Sequence, residues 1–335
     1  MAEHNSVAEG NSTAEQGCRL CPRNCGADRK NGQAGVCGVS GPGILCARAA
    51  LHMWEEPCIS GSSGSGTVFF SGCPLRCVYC QNRSIARAER GTVISVSRLV
   101  EIFLELQEQG AANINLVTPT HYTPEIIEAV KDARENGLSV PVVYNCGGYE
   151  KVETLKMLEG TVDVYLTDFK YMEPETAARY SGAADYPETA KAALAEMVRQ
   201  TGRAVFDASG MMKRGVIVRH LLLPGHVGNA KAVVRYIYET YGDLVWLSLM
   251  NQYTPLPWVR DVPELNRTVT KREYERLVDY AVSLGIEKGF IQEGETAAES
   301  FIPPFDCEGL RARTETEGQN RGTRKENVGD RRKDQ

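Results

Sequence analysis

A chain of 335 residues, 42% hydrophobic and 24% charged, is long enough for one large α/β barrel or two ordinary domains and has a globular composition. Its formal net charge of -5 gives no electrostatic footprint for nucleic acid or an anionic bilayer. No run approaches the ~18–20 apolar residues of a membrane span, and Met1-Ala-Glu-His-Asn-Ser6 has neither the basic nor the apolar part of a secretory signal. Eleven cysteines in such a chain point to metal ligands and free thiols in a reducing cytoplasm, not to disulfides.

Residues 1–17 are small, polar and acidic without periodicity, and are expected to be disordered. Residues 18–60 form a Cys- and Gly-rich segment with little helical or strand period, whose small core would need a metal to hold it. Within it Cys18, Cys21, Cys25 and Cys37 stand at C-x2-C-x3-C-x11-C spacing, the arrangement a short loop needs to wrap a tetrahedral ion. Zinc and a second iron–sulfur cluster both suit four thiolates, and four metal-free structural cysteines are the plainer alternative. Cys46 and Cys58 read as free buried thiols. Gly61-Ser-Ser-Gly-Ser-Gly66 lacks the Lys of a phosphate loop and precedes a strand, so it is expected to be a turn.

From residue 61 to 305, short β-branched runs alternate with amphipathic stretches. Strands are predicted at 67–71, 113–117, 140–144, 163–167, 216–222 and 245–249, with 289–292 as an extra. Leu99, Ile102, Phe103 and Leu106 keep helical spacing, as do Tyr274, Leu277, Val278 and Ala281; these stripes are core faces. Repeated strand–helix alternation predicts parallel strands, hence an α/β barrel or an open parallel sheet, with function gathered at the C-terminal strand ends. Residues 311–335 mix Arg, Lys, Glu, Gly and Thr with almost nothing apolar and are expected to be a disordered tail.

The chemistry is concentrated just after the first of these strands, in Cys73-Pro-Leu-Arg-Cys77-Val-Tyr-Cys80. Three thiolates on a [4Fe–4S] cluster leave one iron with an open coordination position, which separates a catalytic metal site from a structural one. A zinc knuckle or three unrelated buried thiols are the alternatives; zinc would want a fourth ligand, and neither His nor Cys occurs between Cys80 and His121.

The C-x3-C-x2-C spacing, the aromatic before its last cysteine and the following Gln81-Asn82-Arg83 resemble the radical SAM superfamily. The N-terminal cysteines and Trp54-Glu-Glu-Pro-Cys58 resemble the PflX-like group, relatives of the activating enzymes of pyruvate formate-lyase. The resemblance implies a partial (β/α)6 TIM-type barrel, a cluster held by Cys73, Cys77 and Cys80, and S-adenosylmethionine (SAM) cleaved by one electron to a 5′-deoxyadenosyl radical. It also implies an electron donor such as flavodoxin or ferredoxin, and a glycyl-radical enzyme as partner. A radical SAM enzyme acting on a small molecule or another protein is the first alternative. An iron–sulfur carrier without SAM chemistry is the second. Tyr79 matches the aromatic that flanks adenine in related sites. Where the superfamily carries Gly-Gly-Glu for the methionine amino group, this chain has Val117-Thr-Pro-Thr-His121, leaving Thr118 and Thr120 as neutral acceptors. His121 is expected to be a surface loop residue, with proton transfer as the alternative. Asp168-Phe-Lys170 resembles an Asp-Leu-Lys of glycyl-radical activating enzymes, in which the Lys suits the methionine carboxylate and the Asp a ribose hydroxyl or a cation. A structural salt bridge is its alternative. Asn145 falls where those enzymes have Thr-Asn-Gly, and Arg219 is expected to point into the barrel. Their histidine on the next strand is missing; Asn251 and Gln252 stand in its place.

Overall fold

Runs of Val, Ile, Leu and Phe too apolar for a half-exposed ribbon pair here into one ten-stranded sheet, buried under helices. A computed structural model describes residues 17–292 and 303–312. In chain order the elements are β1 (Ile44–His52), α1 (Pro57–Ser60), β2 (Ser65–Phe70), α2 (Arg83–Ala86), β3 (Thr92–Ile94), α3 (Val96–Glu108), β4 (Ile114–Val117), α4 (Thr123–Glu135), β5 (Val142–Cys146), α5 (Val152–Met157) and β6 (Val164–Asp168). They continue with α6 (Pro174–Ser181), α7 (Tyr186–Thr201), β7 (Val205–Phe206), β8 (Met212–Leu221), α8 (Val227–Tyr241), β9 (Trp246–Met250), α9 (Lys271–Ser283) and β10 (Gly289–Ile291).

The strand order is β10-β9-β8-β6-β5-β4-β2-β1-β3, with β7 attached to β8. From β2 to β10 every neighbouring pair on that path is parallel; β1 joins β2 antiparallel and carries β3 on its other side. The two end strands, β3 and β10, do not pair, so the barrel is partial and open. The stripe Leu99, Ile102, Phe103 and Leu106 of α3 and the Ile126, Ala129, Val130 face of α4 bury against Ile114, Leu116 and Val142. Helices α7 to α9 bury against Tyr144, Val216, Val218 and Leu247 farther along the sheet. Among the described residues no helix is long and apolar enough to cross a membrane.

The 18–60 segment divides at Ile44. From there on the chain is the nine-residue β1 and the single turn α1, both part of the barrel. The Ala-rich run of β1 (Ile-Leu-Cys-Ala-Arg-Ala-Ala-Leu-His) has weak strand propensity and forms because β2 and β3 pair with both its edges. Cys58 and Ile59 of α1 enter the sheet's concave side and pack on Val143, Val164, Leu166, Met212 and Ile217. This turn therefore plugs the bottom of the barrel. Asn113 fastens it, donating from Nδ2 to the Ile59 carbonyl at 2.7 Å.

Residues 17–43 cover the opposite, functional end. Arg23 donates to the carbonyls of Pro74 (2.8 Å) and Gly182 (2.6 Å), and its guanidinium lies 5.1 Å from the Tyr149 ring centroid. Arg29 donates to the His121 carbonyl at 2.5 Å. Residues 303–312 cross β1 instead. Cys307 and Ala49 donate backbone N–H groups to Ala47 and Glu308, and buried Arg98 donates to the carbonyls of Gly309, Leu310 and Arg311. Arg311 is thus anchored. Residues 313–335 of the expected tail, and residues 1–16, lie outside the described residues.

Candidate active site

The loop that leaves β2 bends sharply at Gly72, whose φ of +96° an L side chain rarely adopts. A Cβ there would come within 2.4 Å of the Val39 side chain, so the loop and the N-terminal segment are in van der Waals contact. Cys73 then donates its N–H to the Cys37 carbonyl (3.3 Å), and Val78 donates to Tyr180 (2.8 Å). The cysteine loop is therefore clamped between residues 17–43 and the end of α6.

Cys77 and Cys80 line a cavity of about 790 Å³ at the C-terminal ends of the strands. Burial, then the neighbouring Cys77, pushes the Cys80 thiol up to about 12; Cys73 rises for the same reasons, with Cys80 as a further neighbour. Cys77 acts on both of the other thiols, so the three stand close together. A cationic body is what would draw them into thiolate form. Among the described residues no three His, Cys, Asp or Glu side chains close around a single ion, so neither this trio nor Cys18, Cys21, Cys25 and Cys37 is gathered into a one-ion site. A four-iron cluster is a wider body whose ligands stand apart, and its donor set is thiolate. The catalytic trio fits it.

The N-terminal four are nonetheless neighbours. A Cβ on Gly35 would lie 3.2 Å from Cys37 Sγ and 3.5 Å from Cys25 Sγ, and burial followed by Cys18 and Cys37 raises Cys21 to about 11. Cys46 and Cys58 are buried free thiols.

Asp168, the last residue of β6, and Lys170 form an ion pair in the cavity lining. Burial alone would lower the Lys170 ammonium's pKa; Asp168 beside it outweighs that and holds it well above the usual lysine range. Tyr79 packs edge-on against Tyr253, ring centroids 6.2 Å apart, and both line the cavity with Asn145 and Gln252.

Arg219 does point inward, as expected from the sequence, and it is fully engaged there. It donates from Nε to Glu56 Oε1 at 2.8 Å and from NH2 to Glu56 Oε2 at 2.6 Å, and it also pairs with Glu55. Glu55 accepts Asn115 Nδ2 at 2.7 Å and Asn145 Nδ2 at 3.4 Å. Burial raises the Glu56 carboxyl, but Arg219 and a hydrogen bond from Ser248 outweigh it and hold the pKa below the ordinary carboxylate value. This ion-pair floor rests directly on the α1 plug. Sequence reasoning missed it, because Trp54-Glu-Glu-Pro looks like a solvated turn and served only as a marker of the subgroup.

Thr118 and Thr120 are not among the cavity-lining residues. Thr118 takes a left-handed φ of +57°, and the chain turns through Pro119 directly toward α4. Thr120 is carried underneath, where its Oγ1 donates to buried Glu150 at 3.0 Å. Burial pushes Glu150 up to about 8. The expected role of Thr118 and Thr120 as acceptors for the methionine amino group finds no support in this placement. His121 is not a surface residue either. It is 1% exposed, its Nε2 lies 2.8 Å from the Ser71 carbonyl, and burial pushes its pKa down to about 4, so it is neutral at pH 7.

Among the described lining residues, three carboxylates (Glu55, Glu56, Asp168) face two cations (Lys170, Arg219). The excess of one negative charge complements a ligand of net positive charge, such as a sulfonium.

Residues 67–225, which hold the cysteine loop, match the family model of the radical SAM superfamily. That segment is a radical SAM domain. Radical SAM domains imply a [4Fe–4S] cluster and SAM, and the three cysteines and the charge of the cavity fit both. The chain is similar to two uncharacterized proteins of Methanocaldococcus jannaschii. It is 26% identical to MJ0674 over 277 residues, covering 81% of this chain and 75% of that one. It is 25% identical to MJ0808 over 290 residues, covering 81% and 78%. Similar solved structures include a domain of a pyruvate-formate lyase-activating enzyme from Bacteroides vulgatus (12% identity, TM-score 0.38, 51% of this chain and 92% of that one). Another is the FeFe-hydrogenase maturase HydG from Carboxydothermus hydrogenoformans (13%, 0.46, 70% and 55%). A third is Streptococcus suis SuiB bound to S-adenosylmethionine (12%, 0.44, 66% and 48%). The superfamily assignment rests on the matched segment and its three cysteines.

Proposed function

We propose that this radical SAM protein is an activating enzyme that generates a glycyl radical on a partner polypeptide, drawing electrons from a small donor protein such as flavodoxin or ferredoxin. When bound, the cluster supplies one electron to the sulfonium of SAM, yielding methionine and a 5′-deoxyadenosyl radical. Cys73, Cys77 and Cys80 would hold the cluster, and Cys77 and Cys80 line the cavity. Lys170, kept charged by Asp168, offers its ammonium to the methionine carboxylate, and Asp168 accepts from a ribose hydroxyl. Tyr79 and Tyr253 give the adenine an apolar wall, and Phe69, Val117 and Leu249 keep water from the reacting atoms. The observation that carries the activating role is the Asp168–Lys170 pair beside the cysteine loop, the sequence feature shared with glycyl-radical activating enzymes. Among the described residues β3 and β10 do not pair, and that open side of the sheet is where the partner's loop would enter.

The ion-pair floor favours a second reading, in which a small polar molecule reaches Glu55 and Glu56 at the base of the cavity. The two are separated by mixing reduced protein, SAM and candidate glycyl-radical enzymes without oxygen, and recording electron paramagnetic resonance spectra. The activating role predicts the doublet of a glycyl radical on one candidate. SAM consumed with no doublet on any of them would transfer the proposal to a small-molecule substrate.

A further inference from the structure

The sulfurs of the three cluster cysteines each receive a hydrogen bond, but from different kinds of donor. Cys73 and Cys80 are approached by backbone N–H groups, those of Leu75 and Asn82. Cys77 is approached by a side chain, Ser181, whose Oγ lies 3.0 Å from Cys77 Sγ. Behind Ser181 stand two phenols: Tyr171 Oη is 2.8 Å from Ser181 Oγ, and Tyr79 Oη is 2.7 Å from Tyr171 Oη. None of the three hydroxyls has a part in the cleavage described above.

The direction of this chain follows from its end. A ligating thiolate only accepts, so Ser181 O–H donates to it. Ser181 Oγ is then the acceptor for Tyr171, and Tyr171 the acceptor for Tyr79. A phenol at neutral pH keeps its proton, so both remain donors. Ser181 itself is fully buried and cannot swing away. It ends α6, where Gly182 caps the helix in the left-handed conformation at φ +61°. Its carbonyl accepts Arg76 N–H at 3.1 Å and Arg23 NH2 at 3.3 Å. The backbone on both sides of the bond is thus fixed to the cysteine loop.

We propose that Ser181, backed by Tyr171 and Tyr79, is a positioning residue that sets the reduction potential of the cluster through its hydrogen bond to Cys77 Sγ. The inference rests on the reading that Cys77 is a cluster ligand. Donors to the sulfurs are among the terms that fix a cluster's potential. A donor stabilises the more negative, reduced state, so its presence makes the cluster easier to reduce. Polarisation along consecutive hydroxyls strengthens the last bond, which gives the two tyrosines their share.

The test is an anaerobic redox titration of the reconstituted full chain, following the reduced-cluster paramagnetic signal, in wild type, Ser181→Ala, Ser181→Thr and Tyr171→Phe, with iron measured in each. Ser181→Ala should shift the midpoint to more negative potential. Tyr171→Phe should shift it the same way by less, and Ser181→Thr, which keeps the hydroxyl, should stay near wild type. Unchanged potentials in Ser181→Ala and Tyr171→Phe at full iron content would overturn the inference. If Ser181→Ala fails to hold iron, Tyr171→Phe decides alone, because it lies one residue removed from the ligand. A wild type that takes up no four-iron cluster would instead remove the reading of Cys77, and this inference with it.

Discussion

Replacing Cys77 by alanine is expected to abolish the iron–sulfur absorbance and all SAM cleavage while leaving the barrel folded. Cys77 lies in a loop outside every strand, and it packs on the main core only as a partly buried neighbour, so the change should cost the fold little. With two thiolates left, the cluster loses the ligand count that anchors three irons and leaves one open. Iron analysis, absorbance and far-ultraviolet circular dichroism check the three parts of the expectation. A variant retaining both iron and cleavage would show that the trio is not the cluster site.

Arg219→Ala should destabilise the protein by about 3–5 kcal/mol, the usual cost of removing one partner of a buried ion pair. The cost arises from Glu55 and Glu56, whose side chains are 8% and 5% exposed and would be left as two adjacent carboxylates over an apolar plug. Arg219→Lys should recover only part of the loss, because an ammonium cannot reproduce the two-pronged contact with Glu56. Anaerobic urea unfolding measures both. Alanine-variant stability within about 1 kcal/mol of wild type, the range of surface pairs, would mean that the floor is a surface-like interaction.

Much of this architecture is legible in the sequence because buried parallel strands read as uninterrupted β-branched runs. The predicted runs at 113–117, 163–167 and 245–249 each fall within a residue of β4, β6 and β9. The prediction at 216–222 starts late, since Met212-Lys-Arg-Gly carries no apolar run and is drawn into β8 by pairing with β7 and β6. β1 was hidden for the related reason that its strand character comes from its neighbours. The cysteine loop and the Asp168–Lys170 pair could be read because metal ligation and charge pairing tolerate few residue types at fixed spacing. The floor could not. Nothing in Glu55-Glu56-Pro57 says that a one-turn helix will carry two carboxylates into a barrel, and their partner lies 163 residues away from Glu56. Thr120 failed for the opposite reason: its type suited a ligand contact, but the turn at Thr118 hides it against Glu150. Ser181 was invisible because it ends a helix far from the loop in sequence, and only the backbone ladder between Arg76–Val78 and Tyr180–Ser181 brings it to Cys77.

The central claim is that Cys73, Cys77 and Cys80 bind a cluster beside a cavity built to hold and cleave SAM. Its most direct test is to incubate the iron-reconstituted wild-type chain with SAM under anaerobic conditions, with and without a strong one-electron reductant, and to quantify the products by chromatography. The account predicts 5′-deoxyadenosine and methionine in equal amounts, formed only with reductant. Intact SAM beside a fully reduced cluster would contradict it.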